Sequence, residues 1–169
     1  MARNDPDLAE KVCLALVAEG PTHGWAVARL LAPDGEIGRI WSLSRPLTYR
    51  ALDQLVGDGE IEKVGTVPGG GRHRTLLEVT AHGRARTASW LDAPVGLPKD
   101  VRTELLVKFA LRTRIGRPLS PLAREQRRVF ASSFDRLAAE DEADVVALWK
   151  REHLQAIDRF LLLVEGADR

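Results

Sequence analysis

Cysteine and long apolar runs are scarce in this chain of 169 residues. Cys13 is the only cysteine, which excludes an intramolecular disulfide framework and a metal site built from several cysteines. The longest apolar run, residues 12–18, is far shorter than the roughly 20 residues that a membrane helix needs. The mixed charges of residues 1–7 predict neither a secretory nor a mitochondrial leader. We therefore expect a cytoplasmic protein.

Sequence patterns that carry catalysis are also missing. The four histidines lie apart, at positions 23, 73, 82 and 153, without the HExxH or Cys/His spacing of a zinc site. No GxSxG motif and no paired-carboxylate pattern is present. Cys13 lies inside the apolar segment VCLALV and is expected to be a small buried residue rather than an activated thiolate. The sequence predicts no enzymatic activity, no metal and no cofactor.

The composition is that of a soluble globular protein, with 44% apolar and 29% charged residues. A net charge of +1 gives no indication of a polyanionic partner. The charges are unevenly distributed, however, because residues 39–90 hold 8 basic and 5 acidic side chains, a net charge of +3. The basic excess therefore lies in one middle segment of the chain.

The first half of the chain has the element order of a winged helix. Helices are predicted over residues 8–19, 22–31 and 44–56, and glycine or proline follows each. Thr22 and Ser44 are the predicted N-caps of the second and third helices. Two β-rich runs, 61–67 and 75–80, flank a basic, glycine-rich loop and predict an antiparallel hairpin. A fourth helix is expected to follow over residues 80–91.

The second half is predicted to be entirely helical. After a boundary rich in proline and glycine at 93–98, helices are expected over 99–114, 121–140 and 143–164, with the acidic run 140–144 capping the last one. The predicted fold class is mainly α with a small β-hairpin. It combines a winged helix-turn-helix DNA-binding domain over residues 1–92 with a C-terminal helical dimerisation and effector domain over residues 98–169.

The last predicted helix carries an apolar stripe at steps of three and four residues over five turns. Its members are Val146, Trp149, His153, Ile157, Phe160 and Val164. A helix with such a stripe usually needs a partner surface. We expect it to pack against its own domain and a second subunit, supported by Leu8 and Val12 of the first helix.

The predicted DNA-binding residues lie at the start of the third helix and in the hairpin loop. In a winged helix the third helix enters the major groove, and the hairpin contacts the adjacent backbone or minor groove. The candidates are Ser44, Arg45, Thr48, Tyr49, Arg50, Arg72, His73 and Arg74. The alternatives are a solvated amphipathic helix and a solvated turn. A nucleotide-binding loop is disfavoured, because a strand follows the glycines and no Lys-Ser or Lys-Thr pair is present.

Three segments of the chain resemble the PadR family of bacterial transcriptional regulators. They are LALVAEGPTHGW at 14–25, LTYRALDQLVGDG at 47–59, and GGRHR at 70–74 continuing to VTAHGR at 79–84. In that family the first segment ends in His-Gly-Tyr, the second carries Leu-Tyr and leucines closed by Glu-Gly, and the third is Gly-Gly-Arg, a strand and Leu-Thr-x-x-Gly. Departures from these patterns occur at Trp25, at Leu47-Thr48 and at Leu76-Leu77. The match covers about residues 8–92.

The resemblance implies a homodimeric, ligand-responsive repressor without enzymatic activity that binds an inverted-repeat operator. The helical remainder is similar to the longer PadR subfamily, whose C-terminal helices form the dimer. The alternative is a winged helix that serves as a protein-interaction module without specific DNA binding. The basic wing discriminates between them, because an interaction module has no need for arginines at a hairpin tip.

A small aromatic effector is a further expectation. Trp149 and His153 lie one helical turn apart, and Trp90 and Phe109 belong to neighbouring predicted helices; one interpretation is an aromatic-lined cavity between the two halves. There Trp149 would stack on the effector and His153 would donate or accept a hydrogen bond. The alternatives are that these four are ordinary core and interface residues, or that Trp149 and His153 line the cavity of a small helical enzyme.

Overall fold

The computed structural model describes the backbone of residues 6–69, 72–138 and 144–167, and the side chains of residues 7–68, 73–133 and 144–167. The chain divides into two compact units, Met1–Asp92 and Ala93–Arg169. None of the helices in the described ranges combines the length and apolar character that crossing a membrane requires.

The first unit is a winged helix. Its elements are α1 (Pro6–Ala18), α2 (Gly24–Leu30), α3 (Arg45–Gly57), β1 (Ile61–Gly69), β2 (Arg72–Val79) and α4 (Ala81–Asp92). The two strands pair in antiparallel fashion, and α1 packs against α3, α4 and β2. The predicted fold class is confirmed, because three helices, a hairpin and a fourth helix follow one another in the expected order.

Helix α1 forms the centre of this unit's core. Val12, Cys13 and Val17 are fully buried and Leu8 is nearly so, as expected for a helix that is apolar almost all round. Burial raises the pKa of the Cys13 thiol to about 12, so this thiol stays protonated and inert near neutral pH. Because Leu8 and Val12 belong to this core, the expectation that they support a subunit interface is wrong.

The start of α2 differs from the prediction. Its N-cap is His23 rather than Thr22, and the His23 Nδ1 accepts a hydrogen bond from the Ala26 amide at 3.1 Å. Thr22 instead pairs with Leu77 of β2 through two backbone hydrogen bonds of 3.0 and 2.7 Å. A β-branched residue suits such a bridge, and this long-range pairing holds the start of α2 beside the hairpin.

The hairpin strands are longer than predicted. β1 continues to Gly69 and β2 begins at Arg72, so that His73 pairs with Pro68 and Arg74 pairs with Val67. His73 and Arg74 are therefore strand residues rather than loop residues. The prediction of a loop is wrong here. Residues 72–74 are polar and show no apolar alternation, and the backbone pairing that makes them a strand leaves no such pattern in the sequence. Residues 70 and 71 lie outside the described part of the chain.

The base of the hairpin is tied to α4 by Thr80, Gly83 and a buried ion pair. The Thr80 Oγ1 accepts a hydrogen bond from the Gly83 amide at 3.2 Å, which caps the helix. A Cβ at Gly83 would overlap the backbone carbonyl of Glu60, so only glycine allows this approach. The Glu60 carboxylate is 7% exposed and accepts two 2.6 Å hydrogen bonds from Arg86.

The second unit is helical as predicted. A short helix α5 (Pro98–Asp100) continues through a π-helical turn (Val101–Leu105) into α6 (Leu106–Arg114), and α7 (Ser120–Ala138) and α8 (Val145–Ala167) follow. The Asp144 carboxylate accepts hydrogen bonds from the amides of Val146 and Ala147 at 3.0 and 3.3 Å. Asp144 thus caps α8, while the rest of the predicted acidic cap, residues 140–143, lies outside the described residues.

The core of the second unit joins α6, α7 and α8. Its largest buried members include Leu105, Phe109, Leu122, Phe130, Leu154, Ile157 and Leu161. Arg127 of α7 donates a 2.7 Å hydrogen bond to Asp158 of α8. The buried Gln126 amide exchanges two hydrogen bonds, of 2.7 and 2.9 Å, with the backbone of Val95, so this polar side chain is satisfied within the core.

The predicted stripe on α8 is only partly buried. Ile157 is buried, and Phe160 and Val164 pack partly against the core. Val146 and Trp149, in contrast, are 53% and 65% exposed. The buried residues of α8 are Ala147, Leu154, Ile157 and Leu161. Ala147, Leu154 and Leu161 are spaced seven residues apart, and Val146 and Trp149 do not lie in line with them on the helix. The first two turns of α8 therefore present apolar side chains to solvent.

Candidate nucleic-acid interface

The start of α3 presents a row of polar and basic side chains at the surface. Ala51, Leu52 and Leu55 face the core, and this leaves the opposite side of the helix exposed. The exposed side chains at its start are Ser44, Arg45, Tyr49 and Arg50. The Arg45 guanidinium carbon lies 5.8 Å from the centroid of the Tyr49 ring, as expected for residues four apart on one helix.

Thr48 does not belong to this surface. Its side chain is fully buried, and its hydroxyl donates a 3.1 Å hydrogen bond to the carbonyl oxygen of Ser44. The helical phase explains the correction, because Thr48 lies on the same face as the buried Ala51, Leu52 and Leu55. The prediction that Thr48 contacts DNA is therefore wrong.

Helices α2 and α3 approach closely at Gly24. A Cβ at this position would lie 2.8 Å from the Tyr49 ring and 3.3 Å from a Leu52 methyl carbon. Both contacts are shorter than side chains tolerate without displacement. The absence of a side chain at Gly24 thus lets α2 pack directly against the Tyr49 ring.

In the wing, the side chain of Arg74 packs against Trp25 of α2 and does not lie at a free hairpin tip. The guanidinium carbon of Arg74 lies 4.5 Å from the centroid of the Trp25 ring, and that of Arg29 lies 5.2 Å from it. His73 is exposed and Arg74 is half-buried. The side chain of Arg72 lies outside the described residues, so only its backbone pairing with Gly69 is known.

His23, Trp25 and Arg29 were missed as candidate site residues by the sequence analysis. Trp25 was noted only as a departure from a family pattern, and nothing in the local sequence links it to Arg74, which lies 49 positions further on. The bridge between Thr22 and Leu77 brings these distant segments together. Contacts of such sequence separation leave no periodic signal.

A cleft of about 580 Å³ separates the start of α3 from the wing. Its lining includes the cationic side chains of Arg45, Lys63 and Arg74, and one carboxylate, Asp53. His23 and His73 also line it. The cleft thus has an excess of positive charge and of hydrogen-bond donors, which suits an anionic ligand.

Trp149 and His153 stack on each other on α8, with ring centroids 5.0 Å apart and an interplanar angle of 8°. Trp149 is mostly exposed. Trp90 is buried in the first unit, and Phe109 packs edge-on against Phe160 in the second, 6.1 Å away. The prediction that Trp149 and His153 bind an aromatic effector stays a prediction.

Metal-binding groups are not brought together in the described part of the chain. Across residues 6–69, 72–138 and 144–167, no three His, Cys, Asp or Glu side chains are placed so that they could hold a metal ion.

Comparison with known proteins gives matches in structure alone. No family model and no curated protein matches the chain. Bacillus subtilis PadR in complex with operator DNA is 19% identical, with a TM-score of 0.48, over 95% of this chain and 97% of that one. The same regulator with p-coumaric acid is 17% identical, with a TM-score of 0.46, over 95% and 96%.

A PadR-like transcriptional regulator from Bacillus cereus is 14% identical, with a TM-score of 0.41, over 94% of this chain and 99% of that one. These identities are low, and the fold itself is established by the element order of the chain's own two units. In its sequence segments and in its structure, this chain resembles the PadR family of transcriptional regulators.

Proposed function

We propose that this chain is a DNA-binding transcriptional regulator that acts in the cytoplasm. The observation that carries the proposal is the exposed start of α3, where Arg45 lines the basic cleft together with Lys63 and Arg74. Arg50 is exposed on the same helix but lies outside this cleft. A helix start with exposed arginines, flanked by a basic hairpin, is complementary to a major groove and its bordering phosphates.

The residues divide into two roles. Ser44, Arg45, Tyr49 and Arg50 of α3 contact base edges and the nearest phosphates, because arginine can donate two hydrogen bonds to guanine. Arg72, His73 and Arg74 of the wing contact the backbone, which fixes the orientation of the protein on the duplex. Trp25 of α2 supports the wing, as its contact with Arg74 indicates.

The regulator acts as a homodimer and a repressor on an inverted repeat. Support comes from the apolar surface at the start of α8, where Val145, Val146, Leu148 and Trp149 are exposed. Exposed contiguous apolar surface is typical of a protein interface. Two winged helices related by a twofold axis favour half-sites one helical turn apart, roughly 10 base pairs, or a multiple of it.

A small aromatic effector bound at Trp149 and His153 releases the DNA. Their parallel rings offer a stacking surface. Such a ligand acts only if it binds the DNA-incompetent arrangement of the dimer more tightly than the competent one. Phenolic and polyaromatic compounds should quench tryptophan fluorescence and release DNA from the wild-type protein. Equal release from a stably folded Trp149→Ala variant would place the effector site elsewhere.

The experiment that tests DNA binding through the wing is a titration of the chain with its own upstream DNA at several salt concentrations. The wild type should bind this duplex more tightly than a scrambled one, with an affinity that falls steeply as salt rises. A variant carrying Arg72→Ala and Arg74→Ala should bind more weakly, with a salt slope lower by up to about one per lost phosphate contact. Unchanged affinity in this variant would contradict the role of the wing. Equal affinity of the wild type for both duplexes would favour a protein-interaction module.

A further inference from the structure

We propose that His23 and Arg74 together clamp one phosphate oxygen of the DNA backbone. The inference rests on the proposed function and identifies two side chains that would grip the duplex at the cleft. His23 Nε2 and Arg74 Nη1 lie 3.4 Å apart, and both residues line the 580 Å³ cleft and are half-buried.

The hydrogen bond at Nδ1 determines the tautomer of His23. Its Nδ1 accepts a hydrogen bond from the backbone amide of Ala26 at 3.1 Å, and the same amide also donates to the His23 carbonyl oxygen at 2.9 Å. A backbone amide can only donate, so Nδ1 carries no proton. In the neutral imidazole the proton then resides on Nε2, because each tautomer protonates one nitrogen. The contact with Ala26 therefore turns Nε2 into a donor.

The contact between His23 and Arg74 cannot then be a hydrogen bond. The Arg74 guanidinium stays protonated and has no acceptor, so two donors face each other at 3.4 Å. An oxygen about 2.9 Å from each nitrogen, the usual hydrogen-bond length, would accept from both at once. An acceptor oxygen from a ligand would therefore satisfy both donors.

Arg74 is held in position for this role. Its guanidinium lies 4.5 Å from the Trp25 ring centroid, and no carboxylate pairs with it among the side chains at 7–68, 73–133 and 144–167. The cleft brings further cations, Arg45 and Lys63, to the same space, against the single carboxylate of Asp53. An anionic oxygen is thus the acceptor that this site favours.

A DNA phosphate fits better than a small anion. The cleft lies between the start of α3 and the wing, the two elements that meet the major groove and the adjacent backbone in a winged helix. A single phosphate on the strand between them would reach both donors. One neutral and one cationic donor on the same oxygen also set the position of the protein along the strand.

Two substitutions at His23 separate the clamp from the helix cap. In His23→Asn the side-chain oxygen takes the place of Nδ1 and keeps the cap, while no group remains at Nε2. In His23→Gln the side-chain amide nitrogen takes the place of Nε2, while the side-chain acceptor for the Ala26 amide is lost and only the backbone carbonyl of residue 23 remains. We expect His23→Asn to bind duplex DNA about tenfold more weakly with an unchanged urea midpoint. His23→Gln should keep most of the affinity and unfold at lower urea.

Wild-type affinity in a folded His23→Asn variant would overturn the clamp and leave the proposed function intact. At Arg74 the substitution Arg74→Lys keeps the charge but loses the planar fork that reaches both oxygen and ring. It should weaken DNA binding with little change in the salt slope, whereas Arg74→Ala should also lower that slope by about one. An Arg74→Lys variant as tight as wild type would contradict the role of the guanidinium.

Nitrogen NMR of the wild-type chain tests the site first without DNA and then with bound duplex. The ring nitrogen shifts of His23 should report the Nε2–H tautomer, and inorganic phosphate should shift the Nε2 resonance. An Nδ1–H tautomer overturns the clamp, as does a ring insensitive to both phosphate and bound duplex. If the chain binds no duplex yet phosphate shifts His23, the site stands as an anion site and the proposed function fails.

Discussion

The Arg74 guanidinium carbon lies 4.5 Å from the centroid of the Trp25 ring and so joins the wing to α2 across 49 positions of sequence. A cation over an aromatic face at this distance is attracted by the ring's negative potential. The same ring has Arg29 5.2 Å from its centroid. Trp25 therefore restrains Arg74, which lines the proposed DNA site, and also contacts Arg29.

Replacing Trp25 should loosen the wing. We expect Trp25→Ala to free the Arg74 guanidinium and weaken DNA binding by a few-fold, since one such contact contributes about 0.5–1 kcal/mol at a partly exposed site. Trp25→Tyr keeps an aromatic face and should restore most of the affinity. The measurement is fluorescence anisotropy with a labelled duplex. Equal losses in both variants would show that the aromatic face itself is not what matters.

Gly83 should be intolerant of even a methyl group. Gly83→Ala places a Cβ against the Glu60 carbonyl, and forced backbone displacement of this kind typically lowers the unfolding free energy by about 1–3 kcal/mol. Gly57→Ala is the matched control, because a Cβ there meets nothing within 4 Å and alanine favours a helix. Urea unfolding of both variants checks this. A Gly83→Ala protein as stable as Gly57→Ala would contradict the described approach of α4 to Glu60.

Glu10 on α1 should make stability depend on pH. Burial raises the pKa of its carboxyl above the ordinary value, although Arg86 opposes this. Since the folded-state pKa exceeds the unfolded one, the folded chain binds more protons between them, and the unfolding free energy falls as pH rises through that window. Glu10→Gln should remove this loss and raise the urea midpoint at pH 7 relative to wild type.

The control for this pH effect is Glu152→Gln, which alters an exposed carboxylate on α8. We expect its urea midpoint to follow the wild-type pH dependence between about pH 4 and pH 7, the range in which carboxyl groups with ordinary or raised pKa values titrate. If Glu10→Gln and Glu152→Gln behave alike, the burial of Glu10 has no energetic consequence.

The apolar start of α8 should determine the oligomeric state. Val146 and Trp149 are 53% and 65% exposed, and placing charge on both, as Val146→Asp with Trp149→Asp, should oppose burial in an interface. Sedimentation velocity should show a dimer for wild type at micromolar concentration and a monomer for this variant. Gln155→Asp, at an exposed position of the same helix, should remain dimeric. A monomeric wild type would contradict the proposed dimer.

The sequence predicted the order of the elements and the start of α3, but not the residue that caps α2. Helix α3 begins at Arg45, with Pro46 in the first turn, because proline acts locally. Ser44 occupies the predicted N-cap position, but its side chain makes no capping hydrogen bond. The cap of α2 was misassigned to Thr22 because its backbone pairs with Leu77. That choice is made by tertiary structure, which local propensity does not contain.

The candidate site shows the same division. Arg45, Tyr49 and Arg50 are at the surface as predicted, since helical phase places them opposite the apolar stripe. The prediction for Thr48 is wrong because the buried face of α3 includes Thr48 beside Leu52 and Leu55, and a polar threonine does not indicate a buried position in the sequence. On α8 the sequence contains two apolar patterns, the predicted stripe and the seven-residue spacing of Ala147, Leu154 and Leu161. Packing against α7 determines which of them is buried, and the sequence alone does not indicate it.

Binding of the chain to its own upstream DNA, with and without the arginines of α3, tests the central claim most directly. The wild type, the double variant Arg45→Ala with Arg50→Ala, and the control Arg128→Ala, exposed on α7, are titrated at several salt concentrations. We expect the double variant to lose about 1–3 kcal/mol of binding free energy for each base contact removed and to discriminate less against altered operators, while the control binds as wild type does. Wild-type affinity and specificity in the double variant would contradict the proposed DNA contacts of α3.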